Sequence, residues 1–293
     1  RRRGTLHQVM PEHHSEAATQ PPHRAAPAPG APADPASSDR CGVLRFSFPE
    51  TVQIGSATLI RADSLFDVLG ALVPGSIGGV LTDPPYSSGG LHAGDRIRAP
   101  SQKYQSSEYR HLQAEFVGDN RDQRSFLAWS GLWMHRARLG MRPGAILAAF
   151  TDWRQLPVTT DAMQVAGLLW RGIVPWDKTE AVRPQLGRYR NQAEFLVWGT
   201  NGHRASVGRV APGAYRASVP KAKLHMAAKP VSLMRDLLAI SDGPVLDPFM
   251  GSSPIGEACA ELGLPYLGIE ADPRHFDTAC RRLEAVAERS ATN

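Results

Sequence analysis

The 293-residue sequence predicts an α/β domain built on a mostly parallel sheet. Three observations carry this. Strand-length apolar runs alternate with helix-length ones from about residue 41 onward. Some of these runs, such as AILAAF at 145–150, are apolar throughout, as strands covered on both faces are. Several strands also end on acids: IGGVLTD on Asp83, VLD on Asp247 and LGIE on Glu270. Sheets of this class hold their ligands beyond the carboxyl ends of the strands, where the winding reverses.

Residues 1–40 are rich in Pro and Ala without periodicity, and read as a disordered tail that cannot bury enough apolar surface to offset its ordering entropy. The domain is predicted over 41–287, with a short tail at 288–293. SATLIRAD gives a strand ending at Asp63, and SLFDVLGALV a helix with Leu65, Leu69 and Leu72 on one face. IGGVLTD is the next strand. Residues 87–124 form a long polar loop, a length that is usually functional or disordered. SFLAWSGLWMHRARLG is an amphipathic helix closed by Gly140. The strand AILAAFTD, the helix TTDAMQVAGLLW and the strands RGIVPWDK and AEFLVWGT follow, then a basic, irregular stretch over 200–224. PVSLMRDLLAIS is a helix with Pro230 at its start. VLDPFMGSSP is a strand and turn, IGEACAEL a helix, PYLGIEAD a strand and PRHFDTACRRLEAVAER the last helix.

Composition excludes several classes. The three cysteines, Cys41, Cys259 and Cys280, have no metal-ligand or disulfide-framework spacing, so no metal is expected and a reducing, cytoplasmic setting fits. No run of about 18 apolar residues exists to span a membrane, and the first residues lack the apolar core of a signal peptide.

Two strand ends carry chemistry. In VLDPFMGSSPIGEACAELGLPYLGIEAD, Gly251 allows close backbone approach to a ligand, Ser252 or Ser253 can cap the next helix, and Pro254 suits its first turn. Glu270 stands where an acid can bond both ribose hydroxyls of an adenosine-containing cofactor. Only one glycine of a G-x-G-x-x-G trio is clearly placed, which disfavours a pyrophosphate and a nicotinamide dehydrogenase.

DPPY at 83–86 and DPFMGSSP at 247–254, with GIE after the latter, resemble the β-type amino-methyltransferases that modify exocyclic amines of DNA bases. HMAAKP at 225–230, the acid ahead of the apolar run in AEFLVW, and the acid in ADSLFDVL match the family's other elements in its circularly permuted order. The resemblance covers about residues 52–287 and implies a Rossmann-like methyltransferase fold, with a mostly parallel seven-stranded sheet and helices on both faces. It implies S-adenosylmethionine (SAM) as cofactor, held by Asp63, His225, Lys229, Pro230, Asp247, Pro248, Phe249, Gly251, Ser252, Glu270 and Asp272. It implies Asp83, Pro84, Pro85 and Tyr86 as the catalytic turn. The family loop commonly reads D-P-F-x-G-S-G-T; here Ser253 and Pro254 stand at the last two positions, and Ser253 lacks glycine's access to positive φ.

Adenine's N6 amine is a poor nucleophile because its lone pair is delocalised into the ring. Asp83 and the Pro84 carbonyl can accept its two hydrogens, favouring the tetrahedral nitrogen on which charge develops. Proline fixes φ and has no N–H to compete, which stiffens the turn. Tyr86 offers a flat face to a base that has left the duplex.

Between 183 and 229, nine cations face Glu194 alone, a net +8 against +5 for the whole chain. Arg188, Arg190, Arg204, Arg209, Arg216, Lys221 and Lys223 are the candidate DNA contacts, with Tyr189 and Tyr215 interleaved. By resemblance, 200–224 is a short target-recognition region, which implies few base-edge contacts and a short or relaxed site. The expected partner is double-stranded DNA with a flipped base, in a restriction-modification, phage or orphan setting, with room for a homodimer. Site-specific adenine-N6 methylation is the main reading. Cytosine-N4 methylation, where Ser more often replaces Asp83, stays open. So do an RNA or protein-amide substrate and a DNA-binding module without turnover.

Overall fold

The computed structural model of the chain describes residues 42–87, 121–184, 186–219 and 229–291. The predicted tail at 1–40, most of the 87–124 loop, and Lys221, Lys223 and His225 lie outside the described residues. The strands are β1 (Thr51–Ile54), β2 (Ala57–Arg61), β3 (Ile77–Thr82), β4 (Met141–Thr151), β5 (Leu169–Asp177), β6 (Ala193–Thr200), β7 (Tyr215–Arg216), β8 (Val245–Asp247) and β9 (Tyr266–Glu270). The helices are α1 (Gln123–Gly140), α2 (Leu156–Val165), α3 (Val231–Leu237), α4 (Pro254–Leu262) and α5 (Pro273–Ala291).

One sheet takes all nine strands in the order β1-β2-β9-β8-β3-β4-β6-β5-β7. The predicted parallel core is present: β2, β9, β8, β3 and β4 run the same way. β6 is antiparallel to both β4 and β5. The sequence reading of seven strands needs correction to nine among the described residues. One addition is β1, four residues joined to β2 through Gly55 and Ser56, with Gly55 at φ +58°. That two-residue glycine turn is a recognisable hairpin signal. The other is β7, two residues held beside β5 by long-range contacts that no local pattern announces.

Alternation along the central strands feeds two cores. Ala145, Leu147 and Ala149 of β4 join one, with Trp133, Met134 and Ala137 of α1 and Met163 of α2. Ile146, Ala148 and Phe150 join the other, with Leu233 and Met234 of α3, Ile255 and Ala258 of α4, and Phe276 and Leu283 of α5. Both faces of the sheet are thus covered, as the apolar strands require. The predicted helix at 64–73 is instead a π-helical turn (Ser64–Val68) followed by a 3-10 turn (Leu69–Ala71). Gly70 and Pro74 shorten it, yet Leu69 and Leu72 are buried as read. The last helix runs to Ala291, past the boundary at 287.

One glycine matters for placing the site. A Cβ on Gly78 would lie 2.4 Å from the Asp242 carbonyl oxygen. Its absence lets the chain entering β8 pack on the start of β3, in the register that pairs Gly79 with Val245 and Val80 with Leu246. The ends of β3 and β8, Thr82 and Asp247, are thereby neighbours.

Candidate active site

The carboxyl ends of β2, β9, β8, β3 and β4 share one edge of the sheet. Along that edge, in spatial order, stand Asp63, Glu270, the Asp247–Gly251 turn, Asp83 and Asp152. The strand-end acids read from the sequence therefore converge on one face of the molecule.

At the β3 end, both oxygens of Asp83 are held. The Tyr86 hydroxyl donates to Oδ1 at 2.5 Å, and Lys229 Nζ donates to Oδ2 at 2.5 Å. Glu194 of β6 completes the cluster, its Oε2 lying 3.2 Å from Lys229 and 3.4 Å from the Tyr86 hydroxyl. Lys178, just past β5, reaches the other oxygen of Glu194 at 3.2 Å. The Lys229 ammonium also lies 5.1 Å from the ring centroid of Phe150 and 5.5 Å from that of Tyr86. Two carboxylates thus face two ammoniums, where single unpaired charges would be costly.

Burial raises the Asp83 carboxyl above its ordinary value, with the Lys229 charge opposing it. Burial would lift Glu194 too, but Lys229 and Lys178 outweigh it and hold Glu194 below the usual range. Burial works against the Lys229 charge, yet Asp83 and Glu194 raise its pKa and keep it protonated. Burial and the adjacent carboxylates push the Tyr86 phenol well up, so it stays a donor. Asp83 retains 24% side-chain exposure against 6% for Lys229, so the carboxylate is the group an incoming molecule can reach. Pro84 is buried and Pro85 half-buried beneath this turn.

The structure changes the role read for Lys229. The sequence reading grouped it with the cofactor residues; its ammonium sits on Asp83, 146 positions away in the chain. Pro230 beside it is buried and precedes the first turn of α3, at the cap position instead of inside the helix.

The β8 side is built differently. Asp247 is 1% exposed and accepts from Thr82 Oγ1 at 2.7 Å, the Phe249 amide at 3.2 Å and the Tyr266 hydroxyl at 3.2 Å. With no cation among these partners, burial pushes its carboxyl up to about 7. Asp247 therefore braces the turn after β8 against the end of β3 from inside, where the sequence reading had it among the cofactor residues. Pro248 and Ser252 are buried with it. Phe249 is half-buried, with its ring centroid 5.2 Å from Trp129 and 5.3 Å from Trp133.

Ser253 adopts φ +57°, the left-handed region the sequence reading denied it. That conformation costs a non-glycine residue about 1–2 kcal/mol. Its amide donates to the Met250 carbonyl at 2.7 Å and its hydroxyl to Tyr266 at 3.2 Å, which offset the strain. Ser253 holds the cap position of α4, but its side chain makes no capping bond.

Gly251 has φ +51° and would present an added Cβ to open space. Its amide donates to Glu270 Oε2 at 2.9 Å, and the Asp272 amide donates to Oε1 at 2.8 Å. Burial raises the Glu270 carboxyl, with these amides opposing. Asp63 accepts from the Phe66 amide at 2.9 Å and caps the π-helical turn. Asp272 caps α5 through the amides of Arg274 and His275 and pairs with the Arg274 guanidinium at 2.8 Å. An open glycine turn with a half-buried aromatic ring and the carboxylates of Glu270 and Asp63 at adjacent strand ends fits the hydroxyls and amine of SAM.

The predicted DNA contacts divide. Arg204 is spent inside the protein, donating to the Gly144 and Ile240 carbonyls at 3.0 and 2.7 Å. Arg216 pairs with Glu180 at 2.7 Å and Asp177 at 3.5 Å, and Arg190 donates to the Glu180 carbonyl at 2.5 Å. Arg188 and Arg209 are exposed and form no ion pair among the described residues.

Sequence reasoning passed over Glu194, Lys178 and Trp129 as site residues. Glu194 had a signal, as the single acid in a basic stretch and the acid ahead of the β6 apolar run. Trp129 had a weaker one, since Phe126, Trp129 and Trp133 recur at helical spacing. Lys178 had none.

The DNA methylase family of the N6/N4 type matches residues 77–281. Similar proteins include M2.LlaDCHI, a type II methyltransferase of Lactococcus lactis subsp. cremoris, 23% identical over 261 residues that cover 79% of this chain and 91% of that one. M.Cfr9I, a type II methyltransferase of Citrobacter freundii, is 26% identical over 288 residues, covering 85% and 94%. Among solved structures, the cytosine-N4-specific PvuII DNA methyltransferase aligns with a TM-score of 0.60 at 14% identity, over 83% of this chain and 96% of that one. The M1.HpyAVI–SAM complex aligns with a TM-score of 0.51 at 20% identity, over 77% and 99%. No helix among the described residues is long and apolar enough to cross a membrane.

Proposed function

Because this chain belongs to the N6/N4 family of SAM-dependent DNA amino-methyltransferases, we propose that it methylates the N6 amine of adenine in duplex DNA, with the target base turned out of the stack. The observation that carries this reading is the partly open Asp83 carboxylate, held between Tyr86 and Lys229 at the strand end next to the Gly251 turn. SAM supplies an electrophilic methyl group on a sulfonium.

The rest falls to the protein. Asp83 accepts one N6 hydrogen as the amine displaces one of its two present donors, and the Pro84 carbonyl accepts the other. Both acceptors favour the tetrahedral nitrogen of the transition state. Lys229 opposes the burial that raises the Asp83 pKa and so favours the charged form of the acceptor. The proton released by the methylated amine leaves through Asp83. Gly251, Glu270, Asp63 and Phe249 hold the cofactor, and Asp247 fixes their turn relative to Asp83 through Thr82. Arg188 and Arg209 contact phosphates. The likeness to type II methyltransferases supports a place as the modification partner of a restriction system.

Cytosine N4 is the second reading, prompted by the cytosine-N4-specific PvuII enzyme among the structural neighbours, a likeness that bears on the fold alone. The deciding experiment is tritiated methyl transfer from SAM to unmethylated duplex DNA, with product nucleosides separated. N6-methyladenine is the expected product. N4-methylcytosine would replace the base and keep the residue roles, and absence of transfer to DNA would overturn the reading.

A further inference from the structure

The β5–β6 hairpin carries an apolar tip at the catalytic edge. Its strands pair through Trp176 with Glu194 and Asp177 with Ala193, and the ladder continues as Lys178 N–H donates to the Gln192 carbonyl at 2.9 Å. Thr151, at the end of β4, pairs with Phe195 of β6. The hairpin therefore leaves the sheet at the same edge as Asp83, and two residues at its base, Lys178 and Glu194, belong to the Asp83 cluster.

At its tip, Leu186 and Tyr189 are each 99% exposed. Single exposed apolar residues need no explanation. Here two lie three positions apart, among Arg183, Arg188 and Arg190, with no acid between 181 and 190. The neighbouring segment expected to read DNA is partly engaged: over 215–219 it folds onto the sheet, with β7 paired to β5, Trp176 Nε1 donating to the Ala217 carbonyl at 2.8 Å, and Ala217 and Val219 packed on the core, while Val207 and Val210 before it are exposed. Among the described residues, the hairpin is the element whose base joins the Asp83 cluster and whose tip exposes both an aromatic and an aliphatic side chain.

We propose that the Leu186/Tyr189 tip is a wedge that enters the duplex and fills the space left by the extruded target base, with Arg183 and Arg188 on the phosphates. This rests on the reading of the substrate as duplex DNA with an extruded base. A cationic collar selects a polyanion, and an apolar or aromatic side chain replaces the stacking that extrusion removes.

The test is single-turnover methylation by the full chain, after sequencing of methylated plasmid DNA has located the target base. Two duplexes are compared, one with the target paired and one with an abasic site opposite it, where extrusion needs no wedge. Leu186→Ala/Tyr189→Ala is expected to lose about 10- to 100-fold on the paired duplex and to recover to within about threefold of wild type on the abasic one. Equal loss on both duplexes, or an unchanged rate on the paired one, would overturn the wedge. Arg188→Ala serves as contrast, with equal losses on both duplexes and a shallower salt dependence. Unchanged thermal unfolding of the double variant, expected for side chains this exposed, separates the effect from misfolding. Absence of any methylated base in the sequenced plasmid would instead refute the DNA reading itself, and the wedge with it.

Discussion

Asp83 and Asp247 end neighbouring parallel strands, yet their surroundings give them opposite characters. Asp83 faces the ammonium of Lys229, with Glu194 and Lys178 extending the alternation of charge. Asp247 faces only hydroxyls and an amide, and burial takes its carboxyl to about 7. The acid proposed to accept a hydrogen from substrate is matched by a cation and left partly open. The acid that only holds two segments together is sealed in and tolerates a proton. Position on the sheet edge is common to both, so role is set by the counter-charge and by access.

Breaking the charge match should have the largest effect. Lys229→Met leaves Asp83 and Glu194 together without their shared cation, and such losses cost about 3–5 kcal/mol. Chemical denaturation should register that drop. In whatever enzyme remains folded, the acid limb of kcat should move to higher pH, because Lys229 opposes the burial that raises Asp83. A limb that stays put would mean that Lys229 does not tune Asp83.

Removing the acceptor comes next. Asp83→Ala should lower methyl transfer by about 10²–10³-fold, the scale of losing one preorganised group at the reacting atom. SAM affinity by calorimetry should change little, since the residues proposed to hold the cofactor lie at the ends of β2, β8 and β9. An equal loss of SAM affinity would place Asp83 with the cofactor.

Asp247→Asn sharpens the other half of the comparison. The folded carboxyl binds its proton more tightly than the unfolded chain does, between the ordinary value of 3.8 and about 7. Stability must therefore fall as pH rises through that window, by at most about 4 kcal/mol from this group. The asparagine variant should lack this component, so its melting temperature should decline less than that of wild type between pH 4 and 7. Parallel curves would show that Asp247 is ionised throughout.

The smallest effect belongs to the surface. Arg188→Ala/Arg209→Ala should flatten the slope of log Kd against log salt by about 0.9 for each phosphate that is no longer neutralised. An unchanged slope would remove these arginines from the DNA interface.

What is local could be read along the chain. Asp83, Asp247 and Glu270 could be read as strand-end acids because apolar runs, prolines and glycines bracket each of them within a few residues. The parallel core followed from the alternation of strands and helices. The glycine turn between β1 and β2 was also there to be read. The remaining assignments needed the folded sheet. It turned Lys229 from the cofactor group to Asp83 across 146 residues of chain, and brought Glu194 and Lys178 to the same cluster. It withdrew Arg204 and Arg216 from the predicted DNA stripe by giving them protein partners. It also held Ser253 in a backbone conformation that its own side chain disfavours. One difference in range accounts for all of these cases. Backbone propensity and hydrophobic period act over a few residues and leave a pattern in the sequence, whereas charge compensation acts through space, between side chains whose neighbours are chosen only when the sheet forms.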